Sequence, residues 1–307
     1  LVDCYDGNIK KTSITQYSLF IIFFPQLIAG PIVKYNFMMP QFIDEKNRLI
    51  NRQNLNLGFV LILIGLFKKI FLADNLAILV DSGFTNQQNL DFFASWITSL
   101  AFTFQIYFDF SGYIDMATGI ALLFNIRLPI NFDSPYKASS IISFWQKWHI
   151  TLANFLTNYI YFPWVKSLKK VSFFKIMIII FFVFVIAGIW HGPSWLYVIF
   201  GSLHGLGLIF NHVYRKLFEY RMNKYLACFL TFNFINFTFV FFRSDNLSDS
   251  INILKGMFGL KGFEINYFSE DKMYILLILF MAIIITFFFK NTNYLIEKFN
   301  SDIKKEN

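Results

Sequence analysis

The 307-residue sequence is poor in charge: Asp, Glu, Lys and Arg make up 15% of it, against about 25% in ordinary globular chains. That scarcity, beside 56% hydrophobic residues, excludes intrinsic disorder and argues against a soluble domain. Cysteine is scarcer still. Cys4 and Cys228 stand far apart without metal-ligand spacing, which leaves no disulfide framework, and Cys228 reads as a small hydrophobe in an apolar run. Missing too are a Walker loop, a dinucleotide fingerprint, a serine nucleophile elbow and any nucleic-acid motif. The chain starts at Leu1 with neither Met nor a cleavable leader ahead of its first apolar stretch, and an N-terminal truncation is expected.

What is abundant is aromatic and aliphatic. Forty-three phenylalanines and a mean hydropathy of +0.51 are more apolar surface than one soluble core of this size hides, so lipid is the expected solvent for much of the chain. The net charge of +8 lies between the apolar runs rather than in a patch. Lys and Arg concentrated in cytoplasmic loops account for it without a polyanion, and no nucleic-acid partner is expected.

Stretches free of Asp, Glu, Lys and Arg set the organisation, because insertion penalises charge at the bilayer centre. Residues 12–33 form one run, whose second half Pro25 and Gly30-Pro31 should break or make re-entrant. Residues 53–67 form another, continuing past Lys68 and Lys69 towards Val80, and residues 92–108 start a helix that carries on through Asp109 and Asp115 to Phe124. The run 176–214 would make a helix of about 58 Å, too long for one crossing, so Gly192-Pro193-Ser194 is expected to turn it into a hairpin. Residues 225–242 and 273–289 supply two more spans, and Asp44–Asn56 reads as a loop or surface helix.

Basic clusters on both sides of the hairpin, Lys166, Lys169, Lys170 and Lys175 before it and Arg215, Lys216, Arg221 and Lys224 after it, predict cytoplasmic flanks. The loop 243–272 then falls outside and the tail with Lys290, Lys298, Lys304 and Lys305 inside.

Histidines are few enough to weigh singly. His191 lies about 24 Å along the helix from Lys175, deep in the membrane or in its outer half, where an ionisable side chain is a functional candidate. Burial there favours neutral imidazole, while the negative end of the helix at Gly192-Pro193 favours imidazolium; a neutral ring suits a general base acting on a hydroxyl, and the structural alternative is a packing histidine bonded to a carbonyl. His149 follows Phe144-Trp145-Gln146-Lys147-Trp148 in the segment 137–162, too polar and aromatic for a simple span, and an interfacial amphipathic helix with a solvated histidine is the plain alternative. His204 stands among Gly201, Gly205 and Gly207, which favours helix packing, and His212 sits near the cytoplasmic charges. His191, His204 and His212 lack a carboxylate or thiolate neighbour and short helical spacing, so no metal site is expected. Asp109 and Asp115 point about 120° apart on their helix and read as polar glue to a neighbouring helix, an amide or a lysine.

Phe144-Trp145-Gln146-Lys147-Trp148-His149-Ile150-Thr151-Leu152 followed by Tyr159-Ile160-Tyr161-Phe162-Pro163 resembles the signature of the membrane-bound O-acyltransferases, in the bacterial branch of alginate O-acetylation proteins. Phe24-Pro25-Gln26-Leu27-Ile28-Ala29-Gly30-Pro31-Ile32, Asp109-Phe110-Ser111-Gly112-Tyr113, Gly188-Ile189-Trp190-His191-Gly192 and Gly201-Ser202-Leu203-His204-Gly205 extend the likeness, in the family's order. Gln146 and Lys147 stand where relatives commonly show two arginines, Thr157 and Asn158 where an Arg-Asp pair often stands, and Trp164-Val165 replaces a frequent Gly-Gly. These departures bear on acceptor and partner subtype.

The resemblance implies an all-α, polytopic transmembrane bundle with broken or re-entrant helices around a central pore, and one membrane-embedded domain over 1–307 that lacks the N-terminal helices of a full-length member. It implies that His191 is the hallmark histidine and His149 its partner, both facing the pore. His191 is assigned as the base, with the reverse assignment open. The implied function is transfer of an acetyl group from a cytoplasmic donor, acetyl-CoA, across the inner membrane for O-acetylation of an envelope polysaccharide, alginate-like or peptidoglycan. A periplasmic acetyltransferase partner would finish the transfer. D-alanyl transfer to teichoic acid, or a non-catalytic transporter with a polar pore, are the alternatives.

Overall fold

The computed structural model describes residues 2–7, 9, 12–218, 222–263 and 270–306, and among them it is helical throughout, without strands. Leu1 and Arg221 lie outside the described residues. Helix α1, Ile14–Ile22, opens on a capping box in which Ser13 and Gln16 satisfy each other's backbone amides. It ends at Phe23, and a tight turn over Phe24–Gln26 with Pro25 at its start breaks the run as expected. At nine residues α1 is too short to cross a bilayer. Helix α2, Tyr35–Ile43, leads to a short turn over Glu45–Arg48.

Helix α3, Arg52–Thr85, starts where Asn51 accepts from the amides of Gln53 and Asn54, so residues 52–56 belong to its first turn rather than to a loop. It widens into a π-helical stretch over Phe67–Ala73. Helix α4, Phe92–Leu123, runs through the core, buried on several faces, and does extend past both aspartates.

Helices α3 and α4 approach closely because glycines face each other at two levels. A Cβ on Gly58 would lie 2.7 Å from the Gly119 carbonyl oxygen, and one on Gly65 would lie 2.5 Å from that of Gly112; the reciprocal distances are 2.5 and 2.8 Å. At this seam Lys68 pairs with Asp115 at 2.6 Å and Lys69 with Asp109 at 2.7 Å. Thr292 adds a hydroxyl to Asp115. The aspartates are the polar glue that their spacing suggested.

The segment 137–162 is not one amphipathic helix. It breaks into α5, Ile141–Trp145, and α6, Ile150–Leu156, with a π-helical turn over Thr157–Tyr161 leading to α7, Phe162–Lys166. The break lets Phe144 and Trp148 enter the main core while Leu152 and Leu156 pack in a second cluster with Ile179 and Val183.

The long uncharged run turns where expected, into α8, Phe173–Trp190, and α9, Trp195–Leu217. Gly192 takes φ +151, and Ser194 caps α9 by accepting from the Leu196 amide. Helix α10, Lys224–Arg243, follows. The stretch 243–272, read as an outside loop, contains a helix, α11, Leu247–Met257, which buries Ser250, Ile253, Gly256 and Met257 and packs on α4; residues 264–269 lie outside the described residues. Helix α12, Glu270–Phe288, and α13, Thr292–Glu306, close the chain.

Among the described residues α3, α8, α9 and α10 are long and apolar enough to cross a membrane, and Met273–Phe288 with Thr292–Phe299, bent by 44°, passes only as a pair. The chain is a multi-pass membrane protein.

Candidate active site

His149 caps α6 in the left-handed region, at φ 44 and ψ 51, a conformation that disfavours side chains other than glycine by about 1–2 kcal/mol. Two chain segments hold it there. The Ile150 amide donates to the Asn131 carbonyl at 3.0 Å, and the Asp133 amide donates to that of Lys147 at 2.9 Å. The Asn131 side-chain oxygen accepts from the Thr151 amide at 3.1 Å and the Thr151 hydroxyl at 2.8 Å, and lies 3.2 Å from His149 Nδ1. The imidazole meets Phe110 edge-on, ring centres 4.9 Å apart.

His191 ends α8, its amide donating to the Gly188 carbonyl. Its ring is half-buried against Trp190, Tyr197, Phe200 and Phe242, the last edge-on at 5.0 Å. Phe242 neighbours Phe239, and Phe239 neighbours Trp148, so one aromatic wall runs from the residue beside His149 to His191. Helix α8, helix α10 and the 146–149 turn thus bring the two sequence-predicted histidines to one region. Both lie outside the four spans. Burial pushes each imidazole down to about 4, and the charge of His191 adds to the shift at His149. Both are therefore neutral near pH 7.

The other candidates do structural work. His204 is fully buried, and both ring nitrogens are engaged. Trp145 Nε1 donates to its Nδ1 at 3.1 Å; because an indole can only donate, the proton sits on Nε2, which donates to Thr238 Oγ1 at 3.0 Å. The surrounding glycines admit backbone or rings, Gly201 from Phe184 and Gly205 from Phe181, as the packing reading expected. His212 lies half-buried near Arg215 on the last turns of α9.

Three of the substituted family positions have local partners. Lys147 approaches Asp133 at 3.7 Å, and Thr157 and Asn158 bond back to carbonyls of their own helix, at Ala153 and Asn154.

A cavity of about 120 Å³ borders the site, lined by Lys68, Tyr107, Ser111, Asp115, Asn131 and Thr292 among others. Ser111 Oγ and Asn131 Nδ2 are buried there without a protein partner. Asn131 and Thr238 went unnoticed in the sequence, and Trp145 and Thr151 stood only inside the family signature, without a role of their own. The only signal for Asn131 was an uncharged polar residue after Leu128-Pro129-Ile130, which marks a loop and no chemistry.

Residues 3–247 match the family described as MBOAT, membrane-bound O-acyltransferase family. A peptidoglycan O-acetyltransferase of Helicobacter pylori is 49% identical over 261 residues, covering 83% of this chain and 49% of that protein. A probable alginate O-acetylase of Pseudomonas aeruginosa is 31% identical over 274 residues, covering 89% and 52%. More distant is a teichoic acid D-alanyltransferase of Streptococcus thermophilus, 25% identical over 273 residues, covering 79% and 64%. The chain spans about half the length of the two O-acetylating relatives.

Proposed function

This chain belongs to the membrane-bound O-acyltransferase family, and on that premise we propose that it carries the catalytic centre of an inner-membrane O-acetyltransferase. An acetyl group leaves a cytoplasmic thioester, acetyl-CoA, and passes to a hydroxyl on the route to an envelope polysaccharide. Peptidoglycan is the favoured acceptor because the Helicobacter pylori relative shares 49% identity, well above the 31% of the alginate relative. A periplasmic acetyltransferase receives the group and completes the transfer.

The observation that carries this reading is the pair of neutral histidines, buried His149 and half-buried His191, on one aromatic wall. A neutral imidazole can take the proton of an attacking hydroxyl, and a second can donate to the oxyanion that develops on the carbonyl. The rings of Trp148, Phe239 and Phe242 give the region an apolar wall, which disfavours water, the competing nucleophile.

The test is transfer of labelled acetyl by membranes holding the whole protein and its partners. His191→Ala and His149→Ala should each lower the rate by about 100-fold or more at equal protein level. Transfer undiminished by both substitutions overturns the reading in favour of a transporter.

A further inference from the structure

We infer that the groove between the end of α9 and the start of α10 is a binding site for an anionic phospholipid, with the phosphate on Arg215 and Lys224 and an acyl chain along Phe210 and Leu230. The groove shares no residue with the histidine site and stands whether or not the chain transfers acetyl.

A cavity of about 870 Å³ opens there, bounded by the last turns of α9, the first turns of α10 and residues 139–141. Arg215 and Lys224 both line it, and both are exposed. Among the described residues no carboxylate lines the cavity, and neither cation takes part in an ion pair. The uncharged polar groups are donors as well. Asn211 Oδ1 accepts from the Ile141 amide at 2.7 Å and the Ile142 amide at 3.4 Å, so its oxygen faces α5 and its NH2 is left over. Ser140 Oγ accepts from the Ser143 amide at 3.0 Å and from Arg215 at 3.4 Å, which leaves its own hydrogen to donate. The Thr231 hydroxyl is engaged with the Ala227 carbonyl at 2.7 Å. Two cations and two spare donors, with no carboxylate beside them, suit an anion that carries several acceptor oxygens, as a phosphate does.

Depth and the apolar wall decide where that phosphate comes from. Arg215 lies in the last turn of α9 and Lys224 is the first residue of α10, both spanning helices, so the cations stand at headgroup level in the leaflet that the basic flanks mark as cytoplasmic. From there inwards the groove is apolar. Phe210, Tyr214 and Phe218 recur every four residues and stack, ring centres 6.3 and 5.2 Å apart, and Leu230 lines the same cavity from α10. Phe210 is 67% and Leu230 47% exposed, apolar surface that a soluble phosphate would leave bare and an acyl chain covers. A lipid satisfies both halves of the groove. It also touches the reaction centre's support: Asn211 and Ser140 hold the first amides of α5, and α5 leads into the turn that carries His149.

The test uses the whole protein in an uncharged detergent, titrated with phosphatidylglycerol or phosphatidylethanolamine, with bound lipid counted by native mass spectrometry. Wild type should hold phosphatidylglycerol at least about 10-fold more tightly, because the ammonium of phosphatidylethanolamine is repelled by Arg215 and Lys224. Arg215→Gln with Lys224→Gln should weaken phosphatidylglycerol about 10- to 30-fold. Lys175→Gln with Lys216→Gln is the matched control. It removes two charges from the same flanks, but Lys175 reaches the Lys170 carbonyl and Lys216 covers the Phe173 ring, so affinity should stay within about 2-fold. Equal affinity for the two lipids, a groove variant within about 2-fold of wild type, or a control that loses as much as the groove variant overturns the site. Displacement of phosphatidylglycerol by an equal concentration of coenzyme A or inorganic phosphate overturns it in favour of a soluble ligand. Where the groove variant fails to fold, the wild-type preference between the two lipids decides alone.

Discussion

A histidine with both nitrogens occupied and one with a nitrogen free have different uses, even in the same core. His204, held between Trp145 and Thr238, has no atom left for chemistry. His204→Ala should therefore weaken the protein and spare the reaction: we expect a loss of roughly 2–4 kcal/mol, from the cavity left by a fully buried ring and from a half-buried Trp145 Nε1–H left without its acceptor, while Thr238 keeps its bond to the Ile235 carbonyl. A thermal shift in detergent should show the loss, with acetyl transfer per folded molecule within about 3-fold of wild type. A 100-fold loss of rate in stably folded protein would sink the distinction. The site histidines predict the pH response. Protonation removes the lone pair, so activity falls as pH drops through the folded value, which burial holds at about 4 for both His149 and His191. The rate should stay flat from about pH 8 down to about pH 6 and fall only below about pH 5. A midpoint near the ordinary imidazole value of about 6.5 would mean that water reaches and charges these rings.

At the scale of helices, the seam between α3 and α4 combines close backbone approach with two ion pairs, one of them largely buried and the other about half exposed. The Lys68 and Asp115 side chains are 12% and 10% exposed, so removing one partner strands a charge with little water to take over. Lys68→Met or Asp115→Asn alone should lower stability by about 3–5 kcal/mol, and the double substitution should recover most of the loss. A double variant as unstable as the sum of the singles would show that the two charges act separately. This seam also shows which elements were legible in the sequence. Absence of charge is a one-dimensional property, so α3, α8, α9 and α10 and the turn at Gly192-Pro193-Ser194 could be read from run lengths. Helix α11 could not: its buried Ile253 and Met257 face α4, a contact made across more than a hundred residues. Nor could the breakage of 137–162, because Phe144 and Trp148 enter a core assembled from α4 and α10.

Across the whole molecule, the end of the chain holds the loop that holds the site. His149 and His191 stood out in the sequence as isolated ionisable side chains, whereas Asn131 gains its role only from contacts that arrive from Ile32, Thr151 and the C-terminal bend. In that bend, between α12 and α13, Asn291 donates to Asp133 at 2.7 Å and to Ser134 at 2.9 Å, and Asn293 donates to the Phe132 carbonyl at 2.7 Å. Lys137 reaches the Phe289 carbonyl at 2.6 Å from the other side. These bonds brace residues 132–137, directly after Asn131, against a helix pair that enters the fold last in sequence. Each such bond contributes about 1 kcal/mol, so Asn291→Ala with Asn293→Ala should loosen the loop without unfolding the bundle. The expected result is a fall in kcat of about 5- to 30-fold with little change in thermal stability, because misplacement of a positioning group by a fraction of an ångström weakens proton transfer before it weakens packing. Hydrogen exchange over residues 130–137 should rise in parallel. A slower enzyme whose loop exchanges at the wild-type rate would place the effect elsewhere, and unchanged kcat with faster exchange would show that the site tolerates a mobile loop.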